Sequence, residues 1–267
     1  MKDYHVHSNF SDDCFKQTLP EACTTALRVG ITEICFTEHV DMNYPVDKGD
    51  FQLDYETYSK EIEKARSSFP QLTILKGLEF GMQEGISEQM HSYLNNHTFD
   101  FILGSIHAID GLELFGGKFS AGKTEDEAYA RYFETMLACV KNFEKINVLA
   151  HFNLLKRYIY VNSSEYEIYT KHFDVIDEIF NVIIEKGIGL EINTSGWRYG
   201  VNSTIPGLEL LKRYKLKGGE IITFGSDAHR PEHLGYKFKE AYSLARESGF
   251  KYYAYYRKGK PQFAIIP

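Results

Sequence analysis

His5 and His7 stand two residues apart near the start of the chain, and four more imidazoles close short apolar runs further on: His39, His107, His151 and His229. Glu79 and Asp227 hold the same kind of position. Neutral imidazole nitrogens and carboxylate oxygens are the donors that borderline divalent metals prefer. One such residue at the end of a strand says little, because histidines are often simply satisfied in a core. Eight at matching places point to a multinuclear metal centre. Such a centre lowers the pKa of bound water and supplies hydroxide near neutral pH, so the chemistry to expect is hydrolytic.

Residues this far apart meet only if the fold gathers strand ends, as the rim of a parallel barrel does. The chain alternates short apolar runs with longer helical patterns, the signature of a βα repeat. The runs that read as strands are Tyr4–His7, Glu33–Thr37, Thr73–Phe80, Phe99–His107, Asn147–His151, Gly189–Asn193 and Glu220–Ser226. Helical patterns occupy Leu19–Val29, Asp54–Ser68, Ile86–Asn95, Glu125–Asn142, Glu165–Lys186, Pro206–Tyr214 and Leu234–Ser248, with Gly187 as a C-terminal stop. Seven strand–helix units fit one barrel domain over residues 1–267, and the tail around Tyr252–Tyr256 and Phe263–Ile266 reads as a hairpin or cover strand. Within a strand, His5 and His7 face the same side and can share a cation.

Composition narrows the class further. A 267-residue chain with 43% hydrophobic residues can fill a large core, and a net charge of -7 argues against a nucleic-acid binder working through a broad basic face. The chain shows neither a signal-peptide pattern nor an apolar run long enough to span a bilayer, so the cytoplasm is the expected compartment. Cys14, Cys23, Cys35 and Cys139 form no CxxC pair and read as reduced, buried thiols.

The ordered set His5-x-His7 with Asp12, Thr37-Glu38-His39, Gly77-Leu-Glu79, Ser105-Ile-His107, His151 and Ser226-Asp227-Ala-His229 resembles the polymerase and histidinol phosphatase (PHP) superfamily. The resemblance runs from residue 4 to about 235. Chain length, Ser226-Asp-Ala-His-Arg-Pro231 and Gly104-Ser-Ile-His-Ala-Ile-Asp110 are similar to its monofunctional histidinol-phosphate phosphatases. The resemblance implies a distorted, TIM-like (β/α)7 barrel with two or three divalent ions, zinc, manganese or iron, at the C-terminal ends of the strands. It implies that His5, His7, Glu79 and Asp227 hold the first ion, with Glu79 bridging. His107 and His151 complete the second, and Asp12, His39 and His229 surround the third, with Asp13 competing for the place of Asp12. Asn153 stands where some relatives carry aspartate and is left outside the set.

For a phosphate ester, a metal-held hydroxide would attack phosphorus in line without a covalent phosphoenzyme. Guanidinium forks should satisfy the remaining oxygens, and Arg157 and Arg198 are placed to do so, with Arg230 weaker. His233 is a candidate to protonate the leaving group or to bind substrate. Trp197 and Tyr199 could line the pocket. Glu38 flanks His39 and should point away from it, while His91, His97 and His172 read as surface residues. The segment Gly117–Thr124 fits the GxxxxGK[ST] spacing formally but follows no buried strand, and reads as a rim loop. The expected activity is hydrolysis of L-histidinol phosphate in histidine biosynthesis, with a small phosphate ester as substrate and neither nucleic acid nor membrane as partner. Alternatives are a PHP-type phosphoesterase acting on another small ester or a nucleic-acid 3′ end, and a non-catalytic metal-binding module.

Overall fold

The first strand already shows how the interior is laid out. In the computed structural model, which describes residues 1–14, 16–45, 51–159 and 164–267, β1 (Lys2–Val6) pairs in parallel with β2 (Glu33–Val40). Asp3 pairs with Ile34 and Val6 with Phe36, so Tyr4 and His5 together oppose one residue, Cys35. Such a bulge turns both side chains away from the helix layer, where strict alternation would send one of them outward. Tyr4 therefore fills the barrel interior and His5 reaches its rim.

The chain continues through β3 (Thr73–Gly81), β4 (Phe101–Ser105), a rim hairpin of β5 (Ala108–Ile109) and β6 (Leu112–Glu113), then β7 (Val148–Leu149), β8 (Gly189–Asn193) and β9 (Ile222–Gly225). The seven barrel strands lie in the order β1-β2-β3-β4-β7-β8-β9, all parallel. A single bridge, Val6 to Ala228, nearly closes the sheet, backed by His7 N–H donating to Ala228 O at 2.9 Å. The result is the distorted, TIM-like (β/α)7 barrel that the strand–helix alternation predicts.

Several strands are shorter than their apolar runs. Phe99–His107 yields only Phe101–Ser105, and Asn147–His151 only Val148–Leu149. The ladder stops because the chain turns to aim ligands: His151 (φ 22) and Asp227 (φ 55) adopt left-handed backbone that no strand accommodates. Conversely, the second strand runs past Thr37 to Val40.

Helices α1 (Leu19–Arg28), α2 (Tyr55–Ser68), α3 (Ser87–Asn96) and α4 (Glu125–Asn142) follow their patterns closely. Reciprocal caps between Thr18 and Glu21, and between Thr124 and Glu127, start α1 and α4. The segment Glu165–Lys186 is two helices, α5 (Glu165–Lys171) and α6 (Phe173–Glu185), because His172 leaves helical backbone at φ -114, ψ 11. Further on, α7 covers Leu208–Leu216. The last helix, α8 (Phe238–Glu247), starts late, since Gly235 and Lys237 take positive φ.

One apolar layer lies between sheet and helices. A second fills the barrel from below: Tyr4, Cys35, Leu75, Phe101, Leu103, Val148 and Ala150 meet Ala254 and Tyr256. These last two come from β10 (Tyr252–Arg257), which pairs antiparallel with β11 (Lys260–Ile265), the hairpin expected at the tail. The Tyr256 ring packs 4.9 Å from Phe101, and its N–H donates to Tyr4 Oη at 2.7 Å. Beneath them Glu33 is buried, accepting from Lys2 Nζ at 2.7 Å and also from Arg257 and Tyr4. The floor is thus locked and apolar, and the polar interior lies at the opposite rim.

Candidate metal centre

Six strands and the loops after them bring the candidate ligands to one place. His5 Nε2 lies 3.1 Å from His7 Nε2, 2.9 Å from Glu79 Oε2 and 3.8 Å from Asp227 Oδ1. His7 Nε2 lies 3.3 Å from Glu79 Oε2 and 3.8 Å from Asp227 Oδ1. With bonds of about 2.1 Å, the edges of a tetrahedral coordination shell are about 3.4 Å. His5, His7 and Asp227 thus offer three ligand atoms within 4.8 Å of one another, with Glu79 Oε2 beside both imidazoles, and the chemistry of the set, nitrogen and oxygen without thiolate, fits a hard or borderline divalent cation. Cys14 does not join them: its thiol is buried and donates to His229 O at 3.4 Å.

The two oxygens of Glu79 serve different neighbours. Oε2 faces His5, His7 and, at 3.3 Å, His39 Nδ1, whereas Oε1 lies 2.8 Å from His151 Nε2 and 3.2 Å from His107 Nε2. Ser105 Oγ donates to Oε1 at 2.5 Å and holds the carboxylate in this bridging pose. A third group gathers His7, His39 and His229, with ligand atoms within 4.8 Å of one another. Its carboxylate is Asp13: Oδ2 lies 3.1 Å from His229 Nε2 and 3.6 Å from His39 Nε2. Asp12 and Asp13 are both exposed and lie in one tight turn, and of the two it is Asp13 whose carboxylate reaches these imidazoles.

Burial and charge work against each other across this cluster. Burial lowers the imidazole of His5, but Glu191, Glu79 and Asp227 outweigh it and hold the ring well above its ordinary value. For His39 burial is likewise outweighed, by Asp13 and then Glu79, and it rises to about 9. His7 goes the other way, to about 3, through burial and then the neighbouring His229 and His39 rings. Burial would raise Asp227, but His5, Arg157 and His229 keep it well below the usual carboxylate range. The rim thus buries ionised carboxylates whose charge is balanced by protons on the neighbouring rings or by bound cations.

Some functional residues lie outside the predicted set. Glu191, on β8, receives His5 Nδ1 at 2.7 Å and the His151 N–H at 2.8 Å. Asp41, just past β2, lies 2.8 Å from His107 Nδ1. Both are buried. Period two along β8 from Asn193, and along β2 from His39, was the signal that could have found them. Glu38 points away from His39, as expected, and accepts from Ser8 Oγ and Ser11 Oγ, each at 2.6 Å, tying down the loop after β1.

The arginines sit at the rim. Arg157 donates from Nη2 to Asp227 Oδ2 at 2.7 Å and to Ser195 Oγ, stacks 4.5 Å from the Tyr199 ring, and keeps a buried Nε without a partner. Arg198 donates both terminal nitrogens to the carbonyls of Ser226 and Asp227, 2.8 Å each, clamping the loop that carries Asp227. His233 ends the short turn Pro231–His233; burial and then Arg198 lower it to about 4, so its ring is neutral at pH 7. Lys123 turns back to Phe119 O at 2.7 Å and Thr124 caps α4, so Gly117–Thr124 is no phosphate loop. His172, expected at the surface, is buried with its ring 5.9 Å from Phe133, because it fills the break between α5 and α6. His91 and His97 are half-buried.

Residues 3–195 match the PHP domain family, and the chain belongs to that family. A Lactococcus lactis subsp. lactis (strain IL1403) protein named "Histidinol-phosphatase" is 31% identical over 251 residues, 93% of this chain and 91% of its own. A Clostridium acetobutylicum protein named "Probable histidinol-phosphatase" is 37% identical over 93% of this chain and 94% of its own. The fold superposes on a crystal structure of the Lactococcus lactis histidinol phosphate phosphatase complexed with zinc, L-histidinol and phosphate, with a TM-score of 0.88, 30% identity, and 97% and 98% of the two chains covered.

Proposed function

We propose that this chain is a metal-dependent phosphomonoesterase that hydrolyses L-histidinol phosphate to L-histidinol and phosphate. The observation that carries the reading is the convergence of five imidazoles on the two oxygens of buried Glu79, in a chain whose family relatives bear the histidinol-phosphatase name. In this reading His5, His7, Glu79 and Asp227 hold one divalent ion, Glu79 with His107 and His151 a second, and Asp13, His39 and His229 a third. Zinc suits the nitrogen-rich sets, as it does the zinc-bearing relative. Bound ions of this kind activate water and neutralise phosphate oxygens.

The protein's own residues do the rest. Arg157, whose Nη2 rests on Asp227 Oδ2 at 2.7 Å, brings its guanidinium beside the donor cluster to meet a phosphate oxygen, and Arg198 holds the loop in register. Neutral His233 serves as a hydrogen-bonding group for substrate and not as a proton store, since about 4 is too low for a leaving-group acid at pH 7. The deciding experiment is a phosphate-release panel on protein reconstituted with zinc or manganese. Histidinol phosphate should be turned over in preference to other monoesters and to single-stranded DNA; preferred cleavage of DNA overturns the proposal.

A further inference from the structure

When an imidazole binds a metal through one nitrogen, the partner of its other nitrogen fixes both proton position and ring angle. His5 Nδ1 lies 2.7 Å from Glu191 Oε1, and His107 Nδ1 lies 2.8 Å from Asp41 Oδ1. His7 Nδ1 lies 3.1 Å from Ser11 Oγ, whose own proton is given to Glu38. An ionised carboxylate, and a hydroxyl whose proton is already donated, can only accept. Each of these Nδ1 atoms therefore keeps a hydrogen, which leaves Nε2 as the atom that gives up its proton when a cation binds; until then His5 Nε2 faces Glu79 Oε2 at 2.9 Å and His107 Nε2 faces Glu79 Oε1 at 3.2 Å. The Nε2 atoms of His5 and His7, 3.1 Å apart, then converge on one small volume that a shared cation would fill.

Glu191 reaches further than one ring. Its Oε2 accepts the N–H of His151 at 2.8 Å and Asn193 Nδ2 at 3.1 Å, pinning the left-handed backbone that carries His151. Both carboxylates also depend on glycines. A Cβ at Gly225 would stand 2.0 Å from Glu191 Oε1 and 2.5 Å from His5 Cβ, and one at Gly81 would stand 1.8 Å from Asp41 Oδ1. Neither glycine has a positive φ, so open space and not backbone freedom is what the missing side chain supplies.

We infer that Glu191 and Asp41 are positioning residues that lock His5 and His107 as Nδ1–H tautomers and hand both Nε2 atoms to the metal centre, in seats kept open by Gly225 and Gly81. The inference rests on the metal-centre reading above. Zinc affinity is measured by competition with a chromogenic chelator for the wild type, Glu191→Gln, Asp41→Asn and Glu33→Gln. The last is the structural control, a buried carboxylate at the far end of the barrel. Glu191→Gln and Asp41→Asn should bind zinc about 10- to 100-fold more weakly, with Glu33→Gln unchanged. Wild-type affinity in either of the first two overturns the role given to that residue. Should a variant fail to fold, ¹⁵N ring shifts of zinc-loaded wild type decide: protonated Nδ1 with metal on Nε2 at His5 and His107 is expected, and metal on Nδ1 overturns the inference. A wild type that takes up neither zinc nor manganese sinks the metal-centre reading itself, whereas full loading with unaltered variants sinks only this one.

Discussion

Glu79 is the residue on which the rim turns, because its two oxygens serve different sets of imidazoles. Glu79→Gln keeps the shape and removes the charge. It should lower bound metal by at least one ion per chain and phosphate release by at least about a hundredfold, since losing a mere orienting partner already costs 10- to 100-fold; elemental analysis beside a turnover assay checks both. Asp13 and Asp12 make a matched pair of tests. Asp13→Asn should reduce metal content and turnover, while Asp12→Asn, altering an exposed side chain, should leave both near wild type. The convergence of eight rim residues was legible in the sequence because imidazoles and carboxylates recur where apolar runs stop. The choice within Asp12-Asp13 was not, since it depends on the pitch of a turn. Glu191 escaped notice because a carboxylate inside a strand reads as an ordinary alternation, and Asp41 because the second strand extends three residues beyond Thr37, where the apolar run seemed to end.

At the scale of elements, the tail hairpin does for the barrel floor what an eighth strand–helix unit would otherwise do. Tyr256 packs on Phe101 and Tyr4, so Tyr256→Ala should cost about 3–5 kcal/mol in urea unfolding, the range for emptying a buried aromatic site. Glu33 joins that floor to Lys2 and Arg257. Burial would raise its carboxyl, but Arg257, Lys2 and Tyr4 hold it below its ordinary value. A carboxyl depressed in the folded state stabilises above its unfolded pKa, and that contribution is lost as pH falls through the folded one. Glu33→Gln should therefore lower Tm at pH 7, and the gap to wild type should shrink as the pH is taken below about 4.5. Apolar alternation was enough to predict the hairpin and the seven barrel strands. It could not predict the bulge that places Tyr4 and His5 on one side, nor the break at His172, because both arise from tertiary packing.

Over the whole molecule, the rim buries carboxylates and imidazoles in one polar cluster, and bound cations should be a large part of its stability. At a thousand times Kd, a ligand that binds only the folded chain adds about 4 kcal/mol. Treatment with a chelator should lower Tm by several degrees and abolish phosphate release, with zinc or manganese restoring both. The shift should be larger at pH 8 than at pH 6, because the raised imidazoles of His5, His39 and His107 take up protons in competition with metal as pH falls. The seam of the sheet has a consequence of its own. Asp227 N–H donates to His5 O at 2.7 Å and Val6 bridges Ala228, so the earliest and latest strands complete the rim together. During translation His5 and His7 are made long before Asp227 and His229, so the donor groups that need both ends of the barrel are completed last. A chain cut short before the last barrel strand would lack Asp227 and His229 and so leave the first and third donor groups incomplete.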